Sequence, residues 1–304
     1  MREQTTGRKL PNSARFTDLS DYARPIAVRI ARGLMDTSVV AWHVTAVWGI
    51  MGLAAAFCYA TGEYGFALVG AGLMQAKNIL DAVDGSLARF QGRPSRVGRF
   101  LDSIGDAVVS AAVFAGLAVA IAAERPLTYA VLLAAAALVL GLLQGSLFNY
   151  YSVRYRARRG GDATSWMRER LTAEDRARYS ERPHALALLR LLIGVYGWIY
   201  GWQDRLVQRI DGWAVRLLEP QGREDEADAL RSDHRHLTAV SALGPGVQIL
   251  LLNIFTVAGL RSLPRLLEAF ALTIAVGGTL YASLLILRLR WLARRRAHGS
   301  RAGP

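Results

Sequence analysis

Four aspartates stand where acids are costly. They fall in one stretch, Asp81-x-x-Asp84-Gly85-x-x-Ala88-Arg89, eight residues, then Gly98-x-x-x-Asp102-x-x-x-Asp106, with long apolar segments on either side. On a helix, Asp81 and Asp84 lie three apart and Asp102 and Asp106 four apart, so each pair shares a face and aims both carboxylates at one point. Gly92 and Pro94 in the spacer break a helix and let the chain reverse. Two antiparallel helices then present four carboxylates to a common site. A charged Asp near mid-bilayer costs roughly 2.5–3.5 kcal/mol, so four of them need protonation or cations. All-oxygen ligation suits hard dications such as Mg²⁺ or Mn²⁺. Two such ions can neutralise a diphosphate as a phosphorus–oxygen bond breaks, while one carboxylate accepts the proton of an attacking hydroxyl.

The residues around the acids fit such chemistry. Gly85 and Ala88, one and four after Asp84, leave helix surface bare for a flat base or ribose, and Gly98 does the same on the facing helix. Arg89 is placed to contact phosphate or balance the acids. Lys77 and Asn78 share the Asp face of their helix, and an ion pair of Lys77 with Asp81 is the expected role for an intramembrane lysine. Further along, the run Asn149 to Arg159 carries Arg154, Arg156, Arg158 and Arg159. It reads either as a positive-inside anchor or as a phosphate-binding patch of planar bidentate donors.

The string from Asp81 to Asp106 resembles, position for position, the signature of the CDP-alcohol phosphotransferase family. The resemblance implies a six-helix membrane architecture in which Asp81, Asp84 and Asp102 hold two Mg²⁺ or Mn²⁺ ions. Asp106 is implied as the general base and a further metal ligand, and Gly85, Ala88, Arg89 and Gly98 as the lining of the CDP site. The implied reaction displaces CMP from a CDP-alcohol, commonly CDP-diacylglycerol, by a second alcohol. Family members carry a Ser-Tyr-Val-Arg-Ala-Arg-Ala-Glu-like stretch that Arg154 and Arg156 would match as acceptor-binding residues, although Arg158 stands where its acid would be. Glycerol 3-phosphate, inositol phosphate, inositol and serine are all compatible acceptors, and the arginines tilt toward a phosphorylated one. An intramembrane Mg²⁺-dependent prenyltransferase and an ion or metal transporter are the competing readings.

Composition bounds the class. With 304 residues, 52% hydrophobic and a net charge of +13, at a mean hydropathy of +0.21, the chain reads as a polytopic membrane protein whose basic balance suits a lipid surface and not nucleic acid. Cys58, the single cysteine, excludes an internal disulfide. None of the five histidines has ligand spacing; His234 and His236 read as solvated in a charged linker, as does the acidic run Glu224 to Asp228. No cleavable signal peptide of the usual form is expected.

These residues require an all-α integral membrane fold of six transmembrane helices with N-terminal and internal amphipathic interfacial helices. Residues 1–38 form a cytoplasmic segment, disordered over 1–17, with a juxtamembrane helix whose stripe is Leu19, Tyr22, Ile26, Ile30 and Leu34. Residues 39–158 form the catalytic four-helix region, 159–238 an interfacial insert, 239–290 the last two spans and 291–304 a basic tail. The expected spans are 39–60, 66–88, 100–123, 127–150, 239–260 and 266–287. Seven basic residues precede the first span, four lie between Arg89 and Arg99, sixteen between Arg154 and Arg235 and six from Arg288 on, against Arg125, Arg261 and Arg265 on the other side. The positive-inside rule therefore puts the Asp site and both termini in the cytoplasm, at the plasma membrane. Residues 185–202 are apolar enough for a seventh crossing, but that would move Arg294–Arg296 outside. Gly244-Pro245-Gly246 reads as a kink or a point of close backbone approach. Gly141 and Gly145 form a small-xxx-small motif suited to internal packing or to an expected homodimer.

Overall fold

A computed structural model describes residues 10, 14–159, 170–180, 183–218 and 223–299. Within them the protein is all helical with no strand. Most of residues 1–17, the middle of the insert and the end of the tail lie outside the described residues. The elements are α1 (Arg24–Leu34), α2 (Ala41–Ala60), α3 (Tyr64–Phe90), α4 (Arg96–Ile121), α5 (Leu127–Arg158), α6 (Ala173–Arg178), α7 (Pro183–Val215), α8 (Glu224–Arg231), α9 (His234–Ser241), α10 (Pro245–Ala258), α11 (Leu263–Leu272) and α12 (Thr279–Gly299). Helices α2, α4, α5 and α7 are long and apolar enough to cross a membrane, as is the continuous α11–α12 unit; bent α9–α10 makes a sixth if counted as one span. Helix α3 is absent from that set because it carries Gln75, Lys77, Asn78, Asp81 and Asp84, yet it packs inside the bundle against α1, α2 and α10. Outward residues such as Ile50, Phe57, Leu132 and Leu284 are each more than 60% exposed. Apolar surface on that scale belongs against lipid.

Close packing of α2 and α4 sets the site's frame. A Cβ at Gly116 would lie 2.5 Å from the Ala56 carbonyl oxygen, so only glycine lets these backbones approach so closely. The reversal between α3 and α4 follows the sequence expectation. Gly92 adopts φ +63°, the Arg93 N–H bonds the Ala88 carbonyl at 2.9 Å, and Ser95 caps α4 by accepting from the Gly98 N–H at 3.3 Å.

Helix α7 is placed by contacts that composition does not show. Leu189 packs in a buried cluster with Phe100, the Tyr200 hydroxyl donates to the Ser103 carbonyl, Ser146 bonds Gln203, and Tyr150 and Tyr151 bond Asp211. From Leu189 to Asp211 the helix advances about 33 Å at 1.5 Å per residue. Its hydrogen-bond partners lie where α4 begins and α5 ends, while Trp198 and Trp202 line a pocket with Ala111 and Leu138 in the middle of those helices. Helix α7 thus packs against both α4 and α5, with Trp198 81% exposed.

In α1 the buried face is Ala27, Val28 and Ala31 against α3, and Ile26 and Ile30 of the expected stripe are exposed, as a membrane-facing stripe would be. Two sequence readings are corrected by packing. The acidic run Glu224 to Asp228 is the helix α8, and its Asp228 is buried against Arg154, Arg158 and Arg231. His236, expected in solvent, is buried beside Tyr151, whereas His234 is exposed and bonds the Tyr155 hydroxyl. The Gly-Pro-Gly element serves both expected purposes. The chain bends 44° between α9 and α10, and the Gly246 N–H donates to Ser20 Oγ at 2.9 Å where any Cβ would strike the Ser20 backbone. Gly141 packs internally against Ile274 and Gln248. Gln144 inserts its side-chain N–H onto the Ile274 carbonyl, which accounts for the π-helical turn Thr273–Gly278 between α11 and α12.

Candidate active site

Helices α3 and α4 bring three of the four aspartates to one point. One carboxylate oxygen from each of Asp81, Asp102 and Asp106 lies within 4.8 Å of the others. Ligand oxygens around Mg²⁺, at about 2.1 Å from the ion, stand roughly 3–4 Å apart, so a small closure of side chains suffices. Asp102 Oδ1 is buried with no hydrogen-bond partner, as an oxygen reserved for a cation would be. The donor set is hard and all-oxygen, and it fits Mg²⁺ or Mn²⁺.

Asp84 is held differently. Its Oδ2 accepts from Thr45 Oγ1 and from Trp48 Nε1, each at 2.9 Å, which fixes the carboxylate against α2. Asp84 is buried and stands outside the cluster of three. Trp48 is 1% exposed, and a Cβ at Gly105 would lie 2.7 Å from its ring, so the glycine one residue before Asp106 makes room for the indole. Lys77 is buried too. It pairs with Asp106, stands 3.9 Å from Asp81 and lies 4.5 Å from the Trp48 ring centroid. Its main partner is thus on the facing helix, where sequence spacing indicated Asp81, because spacing along α3 says nothing of α4. Thr45 and Trp48 were not expected as site residues. Their signal was faint: two groups able to donate a side-chain hydrogen bond, three apart in an apolar span.

The other expected residues are placed as follows. The nearest atoms to a Cβ at Gly85 belong to the Arg89 guanidinium, and at Gly98 to Ser95 Cβ, all at ordinary contact distance, so neither surface is tightly packed. Ala88 is half-buried on the same helix, and Arg89 Nη2 reaches Ser86 Oγ at 3.4 Å. Arg154 and Arg156 do not converge, since residues two apart on a helix point to opposite sides. Arg154 turns inward to Asp228 at 2.5 Å and to the Tyr150 hydroxyl at 3.4 Å. Arg231 binds both Asp228 and Asp211, so the basic end of α5 is tied to α7 and α8 by a buried ionic network. Burial opposes ionisation of Asp228, but the bond from Arg154 and the charges of Arg154, Arg158 and Arg231 outweigh it and hold its carboxyl below the usual range.

Chain and family can now be compared. The CDP-alcohol phosphatidyltransferase family matches residues 28–210, well over half of the chain and all of the Asp site. The chain belongs to this family. This CDP-alcohol phosphatidyltransferase is therefore an integral membrane transferase that moves a phospho-alcohol group from a CDP-alcohol to an alcohol acceptor, and its acidic cluster is able to bind a metal. No curated protein matches it.

Proposed function

We propose that the protein transfers a phosphatidyl group from CDP-diacylglycerol to a small alcohol, releasing CMP on the cytoplasmic face of the plasma membrane. The observation that carries this reading is the meeting of Asp81, Asp102 and Asp106 oxygens in a member of this family. Asp81, Asp102 and Asp106, with Asp84 beside them, would hold two Mg²⁺ or Mn²⁺ ions, which when bound neutralise the diphosphate and the departing CMP. Thr45 and Trp48 hold Asp84 in one rotamer, so that its charge is fixed before substrate arrives. The bare surfaces at Gly85, Ala88 and Gly98 admit the cytidine and ribose, and Arg89 lies next to Gly85 to reach a phosphate oxygen. Asp106 accepts the hydroxyl proton as the acceptor oxygen bonds to phosphorus and the bond from phosphorus to the CMP oxygen breaks.

Two features support the finer assignments. The strong excess of basic residues at the Asp-site end supports a cytoplasmic orientation with both termini inside. Helices α7 to α9 pack on the end of the catalytic region 39–158 through the Asp228 network, which suits an interfacial lid over the site. A phosphorylated acceptor that used Arg154 would exchange its phosphate for the Asp228 carboxylate; an unphosphorylated one would leave that ion pair intact. The test is purified protein with labelled CDP-diacylglycerol, Mn²⁺ and a panel of inositol, serine, inositol phosphate and glycerol 3-phosphate. A single phosphatidyl product with stoichiometric CMP is expected. Mn²⁺ flux into proteoliposomes with no CMP formed would favour a transporter instead.

A further inference from the structure

The acidic cluster already holds a cation of its own. Lys77 is 5% exposed, pairs with Asp106 and lies 3.9 Å from Asp81. Its ammonium also lies against the face of Trp48, whose indole N–H donates to Asp84. One lysine thus contacts two acids of the three-carboxylate cluster and, through a single ring, backs onto the fourth Asp. A buried ammonium and a buried carboxylate cluster each carry a large desolvation cost, and each relieves the other. The same ammonium repels an incoming dication, because like charges a few ångströms apart in a low dielectric oppose one another strongly.

We propose that Lys77 is a resident counter-cation: it holds Asp81 and Asp106 together before metal binds, and it weakens the affinity of the cluster for divalent metal. Lys77 is then a positioning residue, acting through Asp81 and Asp106. The inference rests on the reading of Asp81, Asp102 and Asp106 as metal-binding groups. It predicts opposite effects of one substitution on the metal-free and metal-loaded protein, which a lysine that merely fills space would not produce.

The experiment uses the full chain in detergent, as wild type, Lys77→Met and Lys77→Arg, with Mn²⁺ titrated by electron paramagnetic resonance and thermal unfolding followed in chelator and in Mn²⁺. Lys77→Met should unfold at a lower temperature than wild type in chelator. In Mn²⁺ the gap should close or reverse, and the variant should bind Mn²⁺ about tenfold more tightly, a typical effect of removing one close like charge. Lys77→Arg, which keeps the charge, should stay near wild type in metal affinity. Should Lys77→Met be recoverable only when purified with Mn²⁺, that too supports the proposal; failure to recover it under either condition makes Lys77 structural and overturns it. Equal Mn²⁺ affinity in wild type and Lys77→Met, with a stability gap that metal does not change, also overturns it. Wild type that binds no Mn²⁺ at all would remove the metal reading of the site, and this inference with it.

Discussion

Trp48→Phe isolates how much the fixed position of Asp84 contributes to turnover. The substitution keeps an aromatic ring under Lys77 and against Gly105, but it deletes the indole N–H that donates to Asp84 Oδ2 at 2.9 Å. A hydrogen bond to a charged acceptor is worth about 1.5–3 kcal/mol. If that restraint is fully expressed in the transition state, a loss of about 1.4 kcal/mol per tenfold gives a fall of roughly ten- to 150-fold in kcat/KM. Thr45→Val removes the other donor at 2.9 Å, and because both act on one oxygen the double variant should lose less than the product of the two singles. The assay is initial-rate CMP release at saturating Mn²⁺, with thermal unfolding measured alongside. The smaller ring should destabilise by less than the roughly 3–5 kcal/mol of a truncation to alanine. Wild-type turnover in folded Trp48→Phe and Thr45→Val would show that Asp84 needs no support from α2 and would refute the reasoning.

Further outcomes follow from other contacts. Gly105→Ala places a Cβ where the Trp48 ring lies and should cost about 1–3 kcal/mol as overpacking, read as a lower midpoint together with reduced CMP release. Asp228→Asn breaks the buried network and should destabilise by roughly 3 kcal/mol at neutral pH. The Asp228 carboxyl is depressed in the folded protein, so its stabilisation is present above the unfolded value and lost as pH falls through the folded one; wild type should lose stability below about pH 4 more steeply than Asp228→Asn. Gly246→Ala should detach the Ser20 strap from the α9–α10 bend, seen as faster proteolysis before α1 with the bundle intact.

Much of the site was legible because it is local in sequence. Two pairs at three and four spacing, separated by a glycine–proline break, determine that the carboxylates of α3 and α4 can meet. The all-helical membrane class was legible too, since a bilayer sets the length and polarity of its helices. What escaped depends on contacts between distant segments. Asp228 read as linker because its run is acidic, and only the fold brings it to Arg154, 74 residues before it. The small-residue face that packs α1 on α3, Ala27, Val28 and Ala31, went unread because its partner lies about 50 residues on in sequence. Length and composition make α7 a candidate span, but they do not reveal its partners Ser103, Ser146 and Tyr151 on α4 and α5. Lys77 was correctly placed on the Asp face, and its partner across the bundle was beyond the reach of helical spacing.

The most direct test of the central claim compares CMP release from CDP-diacylglycerol by wild type, Asp102→Asn and Asp106→Asn under a Mn²⁺ titration, each variant checked for folding. The account predicts Mn²⁺-dependent release by wild type, abolished by chelator, and no detectable release by either variant at any Mn²⁺ concentration. Release by folded Asp106→Asn at the wild-type rate, or wild-type release that persists in chelator, would contradict it.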